Sequence, residues 1–359
     1  MTELVTRAQM ILLARLLRVP VERIAYLEPL GADNLVALRE RMSNVVFDEN
    51  AEIFSRISAL VPVVPMSIMV PLAQRVVSPE MSGRSAGAIS VAHPKKAVGA
   101  MSLLKPEYAA SAMPYLDPRA VVQVAHLAPL EPIAAIAREV LKRKDYISAG
   151  LFVEAATPEI IRAVLDGVDD DEALMRSGSY VHSGKIISDI LRVMIEISPP
   201  RISRLVTTTT QGAADLQLAV LSVLSRIDHD LMATMGDVLF GESSQSDIAS
   251  LTKTVVSEGA AGELLTFANH LSPTALDTLA ANPVTEDEEV LGGLVQAATE
   301  RADLWPPLLQ ILAKHDHDVQ ARLVAVWGAE LSEEHRATVT AHISDLNLED
   351  ALQPVTSFL

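Results

Sequence analysis

The chain has 359 residues, 49% of them hydrophobic but only 4% aromatic, and no cysteine. The missing cysteine excludes disulfides, thiolate metal sites and cysteine nucleophiles, and a core of Ala, Leu, Val, Ile and Met suits helix-on-helix packing better than a β-sandwich. The net charge of −17 divides into +3 over residues 1–150 and −20 over residues 151–359, so the second part argues against phosphate-backbone contacts and a nucleic-acid partner.

Such an acidic surface keeps an apolar-rich chain dispersed, and its sharper reading is a surface that meets a basic partner. The length is that of two or three ordinary domains or of one repeat array.

In chain order, the opening stretch MTELVTRAQMILLARLLRVP has an apolar run, Met10 to Ala14, that Arg15 interrupts. It lacks the charged, apolar, small-residue order of a secretory signal, and no stretch reaches the ~20 apolar residues of a membrane-spanning helix. It reads as an amphipathic first helix, with peripheral membrane contact as the minor alternative, and a reducing cytoplasm is the simplest location. Stripes at Leu12, Leu13, Leu16, Leu17 and at Ile53, Phe54, Ile57, Leu60 make residues 1–75 a helical capping region.

From residue 76 the prolines supply punctuation. Ser78-Pro79, Asp117-Pro118, Thr157-Pro158 and Ser198-Pro199 each set a side-chain acceptor before a proline, the pattern of an N-cap followed by N1. They stand 39, 40 and 41 residues apart, the length of a helical-hairpin repeat. A fifth pair, Ser272-Pro273, follows 74 residues later, leaving one cap missing near residue 235.

Between caps the apolar residues keep helical spacing, as in Val121, Val122, Val124, Ala125 and then Ile133, Ile136, Val140, Leu141, which predicts two short helices per period. Ile160, Ile161, Val164, Leu165 and Ile186, Ile187, Ile190, Leu191, Met194, Ile195 repeat the pattern. Pro114, Pro129 and Pro132 are expected between helices, with the second helix of that hairpin starting near Pro132. The small residues of Ser78–Met101 point to close helix packing, with a flexible junction as the alternative. LVTTTTQG, Leu205 to Gly212, is the best strand candidate and reads instead as a helix end and loop. The division is thus residues 1–75 as cap, 76–212 as Pro-capped repeats and 213–359 as acidic C-terminal repeats.

Four charged motifs have candidate chemistry. REVLKRKDY holds the densest basic cluster, Arg138, Lys142, Arg143 and Lys144; cations suit a helix C-terminus, and the functional alternative is a docking patch for an acidic partner or anionic lipid. DGVDDDEA, Asp166 to Ala173, reads as a solvated helix start, and VTEDEEVL offers a capping box of Thr285 with Glu288. KHDHD places His315 and His317 as weak metal candidates. Two positions apart on a helix they point to different faces, so capping and loop roles suit them better.

AKHDHDVQARLVAVWGAELSEE, Ala313 to Glu334, resembles the second helix of a HEAT repeat, and YLDPRAVVQVAHLAPLEPIAAIAREVL, Tyr115 to Leu141, resembles the short leucine-rich helices of the cytoplasmic N-terminal domain of MgtE-type magnesium transporters. The resemblance implies an all-α solenoid, a HEAT/armadillo-like superhelix of hairpins. It implies no activity, and no magnesium ligand matches residue by residue.

G-x-S-x-G, P-loop, G-x-G-x-x-G and H-E-x-x-H motifs are absent, which points away from an enzyme and from a cofactor. The expectation is a cytoplasmic helical-repeat scaffold, adaptor or regulator holding a protein partner along a concave groove. The alternatives are a binder of an apolar small molecule or lipid between helices and, remotely, a metal-dependent hydrolase. Arginine outnumbers lysine 21 to 8, which suits a GC-rich bacterial genome.

Overall fold

A computed structural model describes residues 3–60, 65–328 and 331–359, apart from the side chains of residues 50, 51, 55–60 and 327. Among the described residues every regular element is a helix. The chain separates into two compact units, Val5–Ser198 and Pro199–Leu359, the latter joined by Glu3 and Leu4. Within that C-terminal unit the Leu4 N–H donates to the Glu263 carboxylate, and Glu3 pairs with Arg301 at 3.3 Å.

The N-terminal unit runs through α1 (Leu4–Leu17), a 3₁₀ segment Val21–Leu30, α2 (Gly31–Leu60), α3 (Met66–Val76), α4 (Pro79–Ala92), α5 (Pro94–Met101), α6 (Pro106–Ala112), α7 (Pro118–Ala125), α8 (Leu130–Lys142), α9 (Tyr146–Val153), α10 (Pro158–Gly167), α11 (Asp171–Gly178) and α12 (Gly184–Ile197). The C-terminal unit holds α13 (Pro200–Thr210), α14 (Ala214–Leu224), α15 (His229–Glu242), α16 (Gln245–Ser257), α17 (Ala261–Ala268), α18 (Pro273–Ala280), α19 (Glu288–Glu300), α20 (Trp305–Leu312), α21 (His317–Trp327), α22 (Glu333–Asp345) and α23 (Gln353–Phe358).

Capping chemistry starts most of the proline-led helices. The side chains of Ser78, Asp117, Thr157 and Ser272 accept from the backbone N–H of Met81, Arg119, Ile160 and Ala275, with proline at N1 each time. Each such cap contributes about 1 kcal/mol. Ser198 departs from the pattern: its N–H closes α12 on the Met194 carbonyl, and α13 starts after Pro199 with no side-chain cap.

The interval between caps also holds three helices, not two, since α4, α7, α10 and α13 follow one another at that spacing. The extra helices α5 and α6 begin at Pro94 and Pro106, behind His93 and Lys105, which supply no capping bond. Pro132 lies inside the first turn of α8, where its missing N–H is one of the orphan donors, so that helix starts two residues earlier than expected. The four threonines of LVTTTTQG lie on α13, and α15 runs through the place of the missing cap.

Packing in the N-terminal unit is largely next-but-one, with α4 also resting on α7. In the N-terminal unit α2, α4, α6, α8, α10 and α12 lean on one another in succession, and so do α3, α5, α7, α9 and α11. In the C-terminal unit next-but-one pairs such as α14 with α16 and α21 with α23 alternate with pairs three helices apart, α15 with α18 and α16 with α19. One N-terminal cluster joins Met10, Leu13 and Ala14 to Ile24 and Leu35, and another joins Leu141, Val168 and Ala173. Among the described side chains Trp305 and Phe267, both in the C-terminal unit, are the largest that are fully buried.

The small residues of α4 permit a close approach. A Cβ on Gly83 would strike the Ala112 carbonyl and Tyr115 at the end of α6, and one on Gly150 of α9 would lie 2.6 Å from the Ser177 carbonyl and 2.8 Å from Tyr180 Cβ at the end of α11. The same corner is built twice.

A second device recurs at helix entries. The fourth residue of α14, α21 and α22 reaches back to the terminal carbonyls left open by the preceding turn. Gln217 donates to the Thr210 and Gly212 carbonyls at 3.3 Å, and Arg336 to Leu331 and Gly328. Gln320 donates to His315 and Ala351 at 2.8 Å and to Leu312 at 3.2 Å.

Candidate protein-interaction face

Exposed large apolar side chains are concentrated in one region. Those of the N-terminal unit run from Tyr26 to Leu130, whereas Val326 and Phe358 are the ones described in the C-terminal unit. Ile53, expected to join a core stripe with Phe54, is 68% exposed while Phe54 is buried. The side chains of Ile57 and Leu60 fall outside the described residues.

The most regular exposed set lies on α3. This helix buries Val70, and presents Ile68 (62% exposed), Leu72 (56%) and Val76 (71%) at spacings of one helical turn. Positions i, i+4 and i+8 form one continuous face. Covering three half-exposed aliphatic side chains would release about 3–6 kcal/mol before the costs of association.

Hydrogen bonds hold this ridge in place. The Gln74 carboxamide accepts from the Lys105 N–H at 2.7 Å and donates to the Leu103 carbonyl at 3.2 Å, which fixes the α5–α6 connector beside α3. The Tyr108 hydroxyl donates to the Val77 carbonyl at 2.8 Å just past the C-terminal end of α3. Leu103 and Lys105 are themselves exposed, so an apolar side chain and a cation extend the stripe sideways.

The surrounding charge is positive. Residues 65–106 carry Arg75, Arg84, Lys95, Lys96 and Lys105 against the single carboxylate of Glu80. Glu80 is already held by Arg84 at 2.7 Å and Arg18 at 3.0 Å.

The basic cluster on α8 is divided in use. Arg138, Lys142 and Lys144 are exposed, but Arg143 donates to the Glu107 carbonyl at 2.8 Å, to the Ser111 hydroxyl and to Glu139 at 3.0 Å, tying α8 to α6. The Arg143 bond, with Lys142 nearby, holds the Glu139 carboxyl below the ordinary value. Lys144 adopts φ 58° as the left-handed residue of the turn that ends α8: its N–H bonds Leu141, and the N–H of Asp145 bonds Val140.

The histidine motif comes apart. His317 opens α21 behind Asp316, while the His315 ring turns to the Thr285 hydroxyl at 3.2 Å, and burial pushes its pKa down. Among the described residues no group of three metal-ligating side chains assembles. Thr285 is not a cap either: its buried hydroxyl donates to the Ala280 and Asn282 carbonyls, and Asp287 caps α19. Asp170 caps α11, with Asp171 and Glu172 in its first turn. A second Asp-His-Asp run, Asp228 to Asp230, sets His229 in a stack on His270, ring centroids 3.6 Å apart.

Two further features escaped sequence reasoning. Arg15 grips Asp145 with bonds of 2.7 and 3.2 Å and also donates to Ser148 at 2.9 Å. Burial raises the Asp145 pKa, but Arg15 and the Ser148 donors outweigh it and hold the carboxyl below its usual range. In the C-terminal unit a cavity of about 30 Å³ lies among Leu205, Val220, Met235, Val255 and Phe267. That is room for a water or two, far below the ~150 Å³ that admits benzene, so this space is no ready chamber for a lipid. No described helix is long and apolar enough to cross a membrane. No protein-family model, curated protein or solved structure matches the chain.

Proposed function

We infer that the protein is a non-enzymatic, cytoplasmic helical-repeat scaffold whose helices stack as a solenoid within each unit and whose N-terminal unit recruits a protein partner. The observation that carries this reading is the ordered apolar stripe of α3, Ile68, Leu72 and Val76, in a unit that holds all but two, Val326 and Phe358, of the exposed large apolar side chains described. A soluble surface that concentrates apolar side chains in this way marks an interaction site. Next-but-one packing in the N-terminal unit supports the repeat reading, because its helices from α2 to α12 then complete their burial on a neighbour two elements away.

The test is site-specific photo-crosslinking in the cells that make the protein. A crosslinking residue at Leu72 or Val122 should trap one discrete protein adduct, and one at Glu334 on α22 should not. Absence of an adduct at the first two positions, or the same mixture at all three, would remove the scaffold reading.

A further inference from the structure

We propose that the α3 face binds an acidic amphipathic helix of a protein partner; this specifies the partner class of the scaffold reading and rests on it. The geometry is that of a helix docked along a helix. Ile68, Leu72 and Val76 span about 12 Å of α3, enough for two turns of a partner presenting apolar anchors at i, i+3 or i+4, and i+7. The Gln74 bonds to the α5–α6 connector mean that the ridge beside the stripe is already ordered, so little further ordering is needed on binding.

Charge selects the partner. Arg75 lies within the apolar stripe, one turn from Leu72, and Lys105 lies beside it. Together with Lys95 on α5, they have no ion pair among the described residues, whereas Glu80 is held by two arginines. A helix whose apolar stripe is edged with Asp and Glu satisfies those cations, and one edged with Lys is repelled.

Charge range argues for a narrow ligand over an anionic membrane. At physiological salt a charge acts over about 8 Å, so a single helix meets chiefly the local cations. A lipid surface is an extended anionic plane and also meets the rest of the N-terminal unit, whose residues 5–198 hold 22 Asp and Glu against 21 Lys and Arg. A second copy of the chain is a weaker occupant, since its acidic C-terminal unit exposes only Val326 and Phe358 among its described large apolar side chains.

The experiment is fluorescence anisotropy on the full chain with two labelled amphipathic peptides of about 18 residues, identical in leucine spacing, one edged with Glu and the other with Lys. Vesicles containing phosphatidylglycerol and a native mass spectrum run beside them. The acidic peptide should bind at least about tenfold tighter than the basic one. Leu72→Asp should abolish that binding, and Arg75→Glu with Lys105→Glu should reverse the preference. Both substituted surfaces are exposed, and an unchanged melting curve confirms that each variant folds.

Equal binding of both peptides, lost in Leu72→Asp, overturns the acidic preference and leaves the interface reading standing. Vesicle binding lost in Leu72→Asp with neither peptide bound, or a dimer in the mass spectrum that Leu72→Asp dissolves, replaces the helix with that occupant. No binding in any arm overturns the inference, and the crosslinks at Leu72 and Val122 then decide the scaffold reading separately.

Discussion

Replacing Gly150 with alanine sets two effects of known sign against each other. Alanine is the better helix former by about 0.5–1 kcal/mol in a helix interior, so propensity alone predicts a gain. The added Cβ would lie 2.6 Å from the Ser177 carbonyl and 2.8 Å from Tyr180 Cβ, however, and Ser177 offers backbone, not a rotamer that can swing aside. Relief requires α9 and α11 to part by several tenths of an ångström, and overpacking of this kind costs about 1–3 kcal/mol. The net expectation is a loss of about 1–2 kcal/mol, or roughly 3–6 °C for a unit of this size. Gly99 in α5 provides the control: nothing lies within 4 Å of its added Cβ, so Gly99→Ala should raise stability by about 0.5–1 kcal/mol. Thermal unfolding followed by circular dichroism at 222 nm reads both. Should Gly150→Ala match or exceed the parent in stability, or Gly99→Ala lose as much, the close-approach reasoning is wrong. Gly83→Ala, at the equivalent corner under α6, should behave as Gly150→Ala does.

Gln320→Ala removes the two amide N–H donors that the Leu312, His315 and Ala351 carbonyls share and should cost about 2–3 kcal/mol in urea unfolding; a loss under 1 kcal/mol would show that water replaces the clamp. Asp145→Asn should cost about 1.5–3 kcal/mol at pH 7. The folded carboxyl titrates below the unfolded one, so this stabilisation is present above the unfolded value and is lost as pH falls through the folded one, and the gap between parent and variant should close below about pH 4. His270 and His315 are both held below the ordinary imidazole value, His270 by burial and then by His229, His315 by burial. The unfolded chain therefore takes up protons first, and stability is complete above about pH 6.5 and declines below it. Melting temperatures between pH 8 and pH 5.5 should fall less steeply for His270→Gln and His315→Gln than for the parent, and parallel slopes would refute the assignment.

The helix starts that sequence reasoning could place are those with a local chemical cause. Ser78, Asp117, Thr157 and Ser272 each carry the acceptor that closes the first turn, and proline at N1 marks the position again. Helices α5 and α6 start with proline alone, behind His93 and Lys105, so nothing in their first turn separates them from a loop. For that reason three helices occupy an interval that suggested a hairpin. The capping box at Thr285 fails for a related reason: motif spacing permits it, but the buried hydroxyl turns back to the Ala280 carbonyl at the end of α18 and to that of Asn282, and Asp287 caps α19 instead.

The candidate face was hidden by the same periodicity that revealed the helices. A stripe at i, i+4 and i+8 says that one side of a helix is apolar, and in a repeat array that side ordinarily meets a neighbour. Ile68, Leu72 and Val76 obey the rule of a core stripe and yet face outward, because α3 turns Val70 inward and leaves the stripe uncovered. The charge pattern was the legible part of the signal, since residues 65–106 hold five cations and one carboxylate in a chain whose net charge is −17. An exposed apolar stripe inside a basic island of an acidic protein is costly to leave uncovered in water, and a partner that brings both a leucine seam and carboxylates satisfies both features at once.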